Sequence, residues 1–204
     1  MKNEELKTGY YLFKKTDYGR VYVFVDFGNV RPWAKELWPE ENKNRIVKEI
    51  DIAKLAEVIN WILPIKKIFY YGIFAKDNKV PVFHYNNKKY RDSYFRLNKA
   101  GKCGFEVVSK EIKIIPHYDK LGKCIGKISK CNFDVEITMD MITKIENYDT
   151  AVLFSGDSDF SGLLEYLKSR EKNTVVVCTK KHISRELQKV CDEYVSADNL
   201  ESFL

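Results

Sequence analysis

Asp157 and Asp159 stand two residues apart, just after the apolar run 151–154 (Ala-Val-Leu-Phe) and the break Ser155-Gly156, so both carboxylates fall where a buried strand would end. A third acid, Asp26, closes the run 21–25 (Val-Tyr-Val-Phe-Val), whose β-branched and aromatic residues do not alternate with polar ones. A fourth, Asp134, opens a helical pattern of Val135, Ile137, Met141 and Ile142 that leads into the 151–154 run. Each acid taken alone has an ordinary role, as a helix N-cap or a strand-end turn former. Taken together they strain that account. If the two strands are neighbours, several anions share one edge and repel unless a divalent cation neutralises them. Oxygen ligands of this kind suit Mg²⁺ or Mn²⁺, which retain water and can activate it against a phosphodiester.

The elements that must position these acids alternate between strand and helix for nearly the whole chain. After the 21–25 run come Phe27-Gly28-Asn29, where Gly28 permits a tight turn and Asn29 offers a polar side chain toward the strand end. Residues 31–49 hold Pro32, Trp33, Trp38 and Pro39 among many charges and read as a loop or insertion. Its tryptophans either pack it down or stack on bases. Ile52, Leu55, Ala56, Ile59 and Ile62 recur at helical spacing up to Pro64, and residues 67–74 read as the second strand. Residues 85–102 read as a basic helix with Tyr90, Tyr94, Phe95 and Leu97 on its inner face, and residues 105–109 as the third strand. Helix, strand and helix follow at 160–170, 174–178 and 183–190, then a short strand at Tyr194-Val195. Such alternation with right-handed crossovers gives a parallel sheet covered on both faces.

A chain of 204 residues with 45% hydrophobic content can bury a sizeable core, and one domain is expected over residues 21–204. Residues 1–20, with Tyr10, Tyr11, Leu12 and Phe13 before Asp17-Tyr18-Gly19, form an N-terminal extension with a strand and turn. The net charge of +6 favours a polyanionic partner. Residues 88–130 carry twelve Lys or Arg against four acids, a local excess larger than that of the whole chain, and the Lys-rich insertion at about 110–130 reads as a hairpin or mobile loop. Lys or Asp interrupts every apolar run, which excludes a membrane span and a secretory leader and points to a cytoplasmic protein. Five cysteines with no CxxC pair suit reduced thiols, and Cys103, His117, Cys124 and Cys131 match no familiar zinc spacing. His84, His117 and His182 stand in no triad-like setting, and no glycine-rich phosphate cradle is present.

At the acidic residues the sequence resembles the NYN domain, in the LabA-like branch of the PIN-like nucleases. The matching features are Asp26-Phe-Gly-Asn29, the segment from Lys130 through Asp134 to Asp140, Ser155-Gly-Asp157-Ser-Asp159-Phe, and Ser184-Arg-Glu-Leu187 in the tail. Their order and spacing cover residues 21–204. The resemblance implies a Rossmann-like α/β three-layer sandwich with a mainly parallel sheet, and a Mg²⁺- or Mn²⁺-dependent endoribonuclease. Asp26, Asp134, Asp157 and Asp159 would hold metal, and Asn29 and Ser155 would orient water, phosphate or a ligand carboxylate. Asp140 lies six residues after Asp134, so a regular helix turns it away, and it is expected to support the site from behind. Lys127, Lys130, Arg91 and Arg96 would hold the RNA backbone, with Lys130 foremost as the nearest of them to Asp134 in sequence.

The partner expected is RNA, single-stranded or structured, with single-stranded DNA still open and a homodimer compatible with the sequence. A catalytically weak RNA-binding or regulatory module is the competing reading, and intact acids argue against it. A haloacid-dehalogenase-type phosphatase needs a second Asp two residues after its nucleophile, whereas position 28 is Gly.

Overall fold

A computed structural model of the chain describes residues 18–39, 48–120 and 122–204. The strands in chain order are β1 (Val21–Asp26), β2 (Lys66–Tyr70), β3 (Glu106–Val108), β4 (Lys113–Tyr118), β5 (Cys124–Lys130), β6 (Thr150–Phe154), β7 (Asn173–Cys178) and β8 (Glu193–Ser196). The α-helices are α1 (Phe27–Val30), α2 (Ala34–Leu37), α3 (Ile52–Asn60), α4 (Lys88–Lys102), α5 (Asp134–Thr143), α6 (Ser161–Ser169) and α7 (Arg185–Val190).

Six strands form one parallel sheet in the order β3-β2-β1-β6-β7-β8. The chain builds outward from β1 through β2 to β3, then returns to the other side of β1 with β6 and builds outward again. The reversal therefore lies between β1 and β6, where Val25 stands opposite Phe154. At such a switch point the loops at the carboxyl ends part in opposite directions and leave a crevice, and Asp26 and Ser155 come next along the two strands.

Burial on both faces explains why β1 and β6 lack polar alternation. Val21, Val23 and Val25 join Leu55 and Ile59 of α3, Val175 and Val177 in one core layer. Tyr22 and Phe24 join Ile137 and Met141 of α5 and Leu163, Leu164 and Leu167 of α6 in the other. Each such large side chain contributes roughly 1.5–3 kcal/mol on burial. Helix α3 starts at Asp51, whose carboxylate accepts from the N–H groups of Ala53 (2.7 Å) and Lys54 (3.3 Å).

The structure departs from the sequence reading at several elements. The part of 31–49 up to Leu37 is helical, and its large apolar residues are buried. A 3₁₀ turn spans Arg31–Trp33, α2 follows, and Trp33 and Trp38 are buried, Trp33 stacking on Phe154 at 6.3 Å. Large apolar residues there fill the core beneath β6, so neither ring is free to stack on a base. The second strand ends at Tyr70 rather than Phe74, because its edge partner β3 is only three residues long. Beyond it Ile73 makes a lone parallel bridge to Glu111. The inner face of α4 is only partly as read: Leu97 packs against the core and Tyr90 is half-buried, but Tyr94 and Phe95 face solvent, and the buried residues are Ser93 and Ala100. Small residues let α4 lie close, and Ser93 Oγ accepts from the Phe74 N–H at 3.2 Å. The Lys-rich segment forms β4 and β5, an antiparallel hairpin exposed along its length, with a register shift between His117 and Tyr118. The strand and turn read before Gly19 lie outside the described residues except for Tyr18 and Gly19.

Candidate metal centre

Asp26 ends β1 and caps α1. Its carboxylate accepts from the Asn29 N–H at 3.3 Å, which fixes it at the mouth of the crevice, 9% exposed. Desolvation pushes its pKa up to about 6 against the opposing backbone hydrogen bonds from Asn29 and Gly28. The negative charge of Asp134 and Asp157 adds to the rise. Asp134 occupies the first turn of α5, where the helix dipole favours an anion. It forms a reciprocal pair with Asn132, whose Nδ2 donates to Asp134 Oδ2 at 2.6 Å while Oδ1 accepts from the Asp134 N–H at 2.8 Å. Desolvation raises the Asp134 pKa and Asn132 opposes this, with Asp157 and Asp159 raising it further and Lys110 lowering it. Asp157 caps the 3₁₀ turn Ser158–Phe160 by accepting from the Asp159 N–H at 3.2 Å. Asp134 is thus not an N-cap, while Asp26 and Asp157 serve as caps and still face the crevice.

Ligand oxygens of Asp134, Asp157 and Asp159 all lie within 4.8 Å of one another, the one such convergence of three or more His, Cys, Asp or Glu residues among the described residues. Asp26 stands just behind this trio, close enough to feel the charge of two of its members. Carboxylates so placed fit a hard divalent ion. The cysteines are free and join no such group among the described residues.

Gly156 holds the acidic loop in place. Its N–H donates to Asn29 Oδ1 at 3.1 Å and its carbonyl accepts from the Ser184 N–H at 3.0 Å. A Cβ here would lie 2.4 Å from the His182 carbonyl oxygen and 2.5 Å from Cys178 Sγ. Ser184 Oγ in turn caps α7 through the Leu187 N–H at 3.1 Å. The Ser184-Arg-Glu-Leu187 stretch therefore anchors the loop that carries Asp157 and Asp159. Asn29 joins the ends of β1 and β6, and Ser155 is buried with its Oγ accepting from the Asp157 N–H at 3.4 Å. Both residues use their side-chain oxygens to position backbone.

Asp140 lies away from the trio, accepting from Tyr70 Oη at 2.7 Å and pairing with Lys144 one turn on. Arg96 donates to both Glu49 oxygens at 2.7 Å, and Arg91 rests over the Phe83 ring at 5.9 Å. Lys127 and Lys130 are exposed on β5 and make no ion pair with a described residue. The cation whose charge reaches Asp134 is Lys110, which pairs with Glu136 at 2.5 Å and sits 4.7 Å above the Phe133 ring. Lys110 and Asn132 were not singled out from sequence. Asn132, two residues before Asp134, carried a legible turn signal, whereas Lys110 is brought in only by the path of the chain through the hairpin.

A family model described as the NYN domain matches residues 20–201. Over 75 residues the chain is 40% identical to the Low amplitude and bright protein LabA of Synechococcus elongatus, a stretch covering 37% of this chain and 40% of that protein. The match thus spans less than half the length of that curated relative. The crystal structure of a protein of unknown function from Vibrio parahaemolyticus is similar at a TM-score of 0.60 and 23% identity, covering 89% of this chain and 95% of that one. At this identity the likeness speaks for the fold.

Proposed function

Because the chain belongs to the NYN domain family, we propose that it is a metal-dependent endoribonuclease that hydrolyses RNA phosphodiester bonds at the carboxyl edge of β1 and β6. The observation that carries this reading is the convergence of Asp134, Asp157 and Asp159 at the switch point of the sheet. A bound Mg²⁺ or Mn²⁺ would supply charge neutralisation for the phosphate and a more acidic water. Asp134, Asp157 and Asp159 would hold the ion, and Asp26 would complete the set from behind. Asn29 ties the loop after β6 to the end of β1, and Ser155 orders the loop that carries Asp157, so the acids do not have to reorganise when substrate arrives.

RNA would be held by positive charge outside the acidic crevice. Lys127 and Lys130 on the hairpin arm are the first choice, with Arg91 on α4. Arg96 would have to leave Glu49 to contribute. Residues 21–204 act as one NYN unit in this reading, with residues 1–20 as an extension, and it works in the cytoplasm. Among the described residues no helix is long and apolar enough to cross a membrane.

The test incubates labelled single-stranded and hairpin RNAs with the protein in Mn²⁺, Mg²⁺ or EDTA, beside Asp157→Ala. Cleavage that requires metal and disappears in the variant supports the proposal. RNA binding without cleavage in any metal replaces it with a regulatory RNA-binding module.

A further inference from the structure

A cavity of about 330 Å³ adjoins the acid cluster on the side of β2 and the hairpin base. It shares wall residues with the cluster's own supports: Gly28 lies two residues after Asp26, and Phe133 directly precedes Asp134. The remaining wall is largely apolar, from Tyr71, Phe74, Ile112 and Cys131. The rim is cationic. Among the described residues Arg31, Lys35 and Lys48 stand there against one acid, Glu49, which is already engaged by Arg96 at 2.7 Å and Arg31 at 3.5 Å. Lys35 is exposed and makes no ion pair with a described residue. The volume lies at the lower end of the roughly 300–1,000 Å³ typical of small-molecule sites.

An apolar, partly aromatic hollow with a positive rim selects a ligand that is flat and apolar at one end and anionic at the other. A nucleotide has that character, and continuity with the acid cluster sets its direction. We propose that this cavity is a subsite for one unstacked nucleotide of the RNA substrate, the base entering between Phe74 and Phe133 and its phosphate lying against Arg31 and Lys35. The neighbouring phosphodiester then falls at the carboxylates. A base paired and stacked within a duplex cannot enter, so the subsite selects single-stranded or splayed segments. Ser129 supplies a polar group at the wall that can read the edge of the base. The substrate assignment rests on the ribonuclease reading, whereas nucleotide binding in the cavity does not require metal or cleavage.

Cys131 provides a readout independent of activity, since it lines the cavity while Cys124 is exposed on the hairpin. The protein is treated with a maleimide in EDTA, with and without adenosine or uridine 5′-monophosphate, and the modified peptides are quantified. Nucleotide should slow modification of Cys131 several-fold and leave Cys124 unchanged. A labelled pentaribonucleotide should bind Lys35→Glu about tenfold more weakly than wild type, the loss of one charged contact. Lys35 is exposed, so this variant should fold. Equal modification of Cys131 with and without nucleotide, together with unchanged pentanucleotide binding by Lys35→Glu, overturns the subsite even if metal-dependent cleavage is found. Protection of Cys131 in a protein that cleaves no RNA upholds nucleotide binding in the cavity and removes the ribonuclease reading instead.

Discussion

Replacing Asp26 by Asn should stabilise the metal-free protein at neutral pH while removing its activity. Burial and two neighbouring acids raise the folded-state pKa of Asp26 from 3.8 to about 6. The folded state therefore holds this proton more tightly than the unfolded chain does. The associated stability is fully present below about pH 4 and is lost as pH rises through about 6. Two units at about 1.4 kcal/mol each make ionised Asp26 cost about 3 kcal/mol above that window. The variant removes the cost but exchanges an acceptor oxygen for a donor in one orientation, which weakens the cap at Asn29 by about 1 kcal/mol. The net gain is about 2 kcal/mol, or roughly 4–8 °C in Tm for a domain of this size. Thermal unfolding in EDTA between pH 5 and pH 8 measures it. The gap between variant and wild type should widen as pH rises to about 7 and then level off, and Mn²⁺ should stabilise wild type more than the variant. A gap that stays constant with pH, or a variant less stable than wild type at pH 8 in EDTA, would refute the claim that Asp26 carries unfavourable charge.

Gly156→Ala forces a methyl group against the His182 carbonyl and Cys178 Sγ, so it should destabilise by about 1–3 kcal/mol in chemical denaturation and weaken stabilisation by Mn²⁺. Asn29→Ala leaves the buried Gly156 N–H without its acceptor, and a loss of about 1–3 kcal/mol in the same assay is expected. Tyr70→Phe deletes the hydrogen bond to Asp140 and should cost about 1–2 kcal/mol of stability with no change in RNA cleavage at saturating RNA. A fall in that rate for the folded variant would draw Asp140 into the chemistry. Lys127→Ala and Lys130→Ala should each weaken binding of single-stranded RNA and flatten the dependence of log K on log salt by about 0.7, as measured by anisotropy between low and moderate salt.

Much of this protein was legible in its sequence, because local physics wrote it there. Runs such as Val21 to Val25, apolar without alternation, could only be strands buried on both faces, and their alternation with helical patterns required a parallel sheet. The acids were legible because they interrupt those runs at the strand ends. The six-residue step from Asp134 to Asp140 implied that Asp140 turns away from Asp134, and in the structure Asp140 contacts Tyr70 and Lys144.

Tertiary context decided the rest. Tyr94 and Phe95 follow helical spacing yet face solvent, because the side of α4 toward the sheet is taken by Ser93, Ala100 and the half-buried Leu97. Trp33 and Trp38 stand in a charged stretch yet are buried in the core, Trp33 filling the space beside Phe154. Lys130 is nearest Asp134 in sequence, but it lies on an exposed hairpin strand, while the charge that reaches Asp134 is that of Lys110, which precedes the paired strand at the same end of the hairpin. Composition and periodicity determined the elements and the residues at their ends, since both depend on neighbours along the chain. Which ends meet, which cation serves which acid, and the cavity between them depend on packing partners tens of residues away, and the order of strands around β1 and β6 decided those.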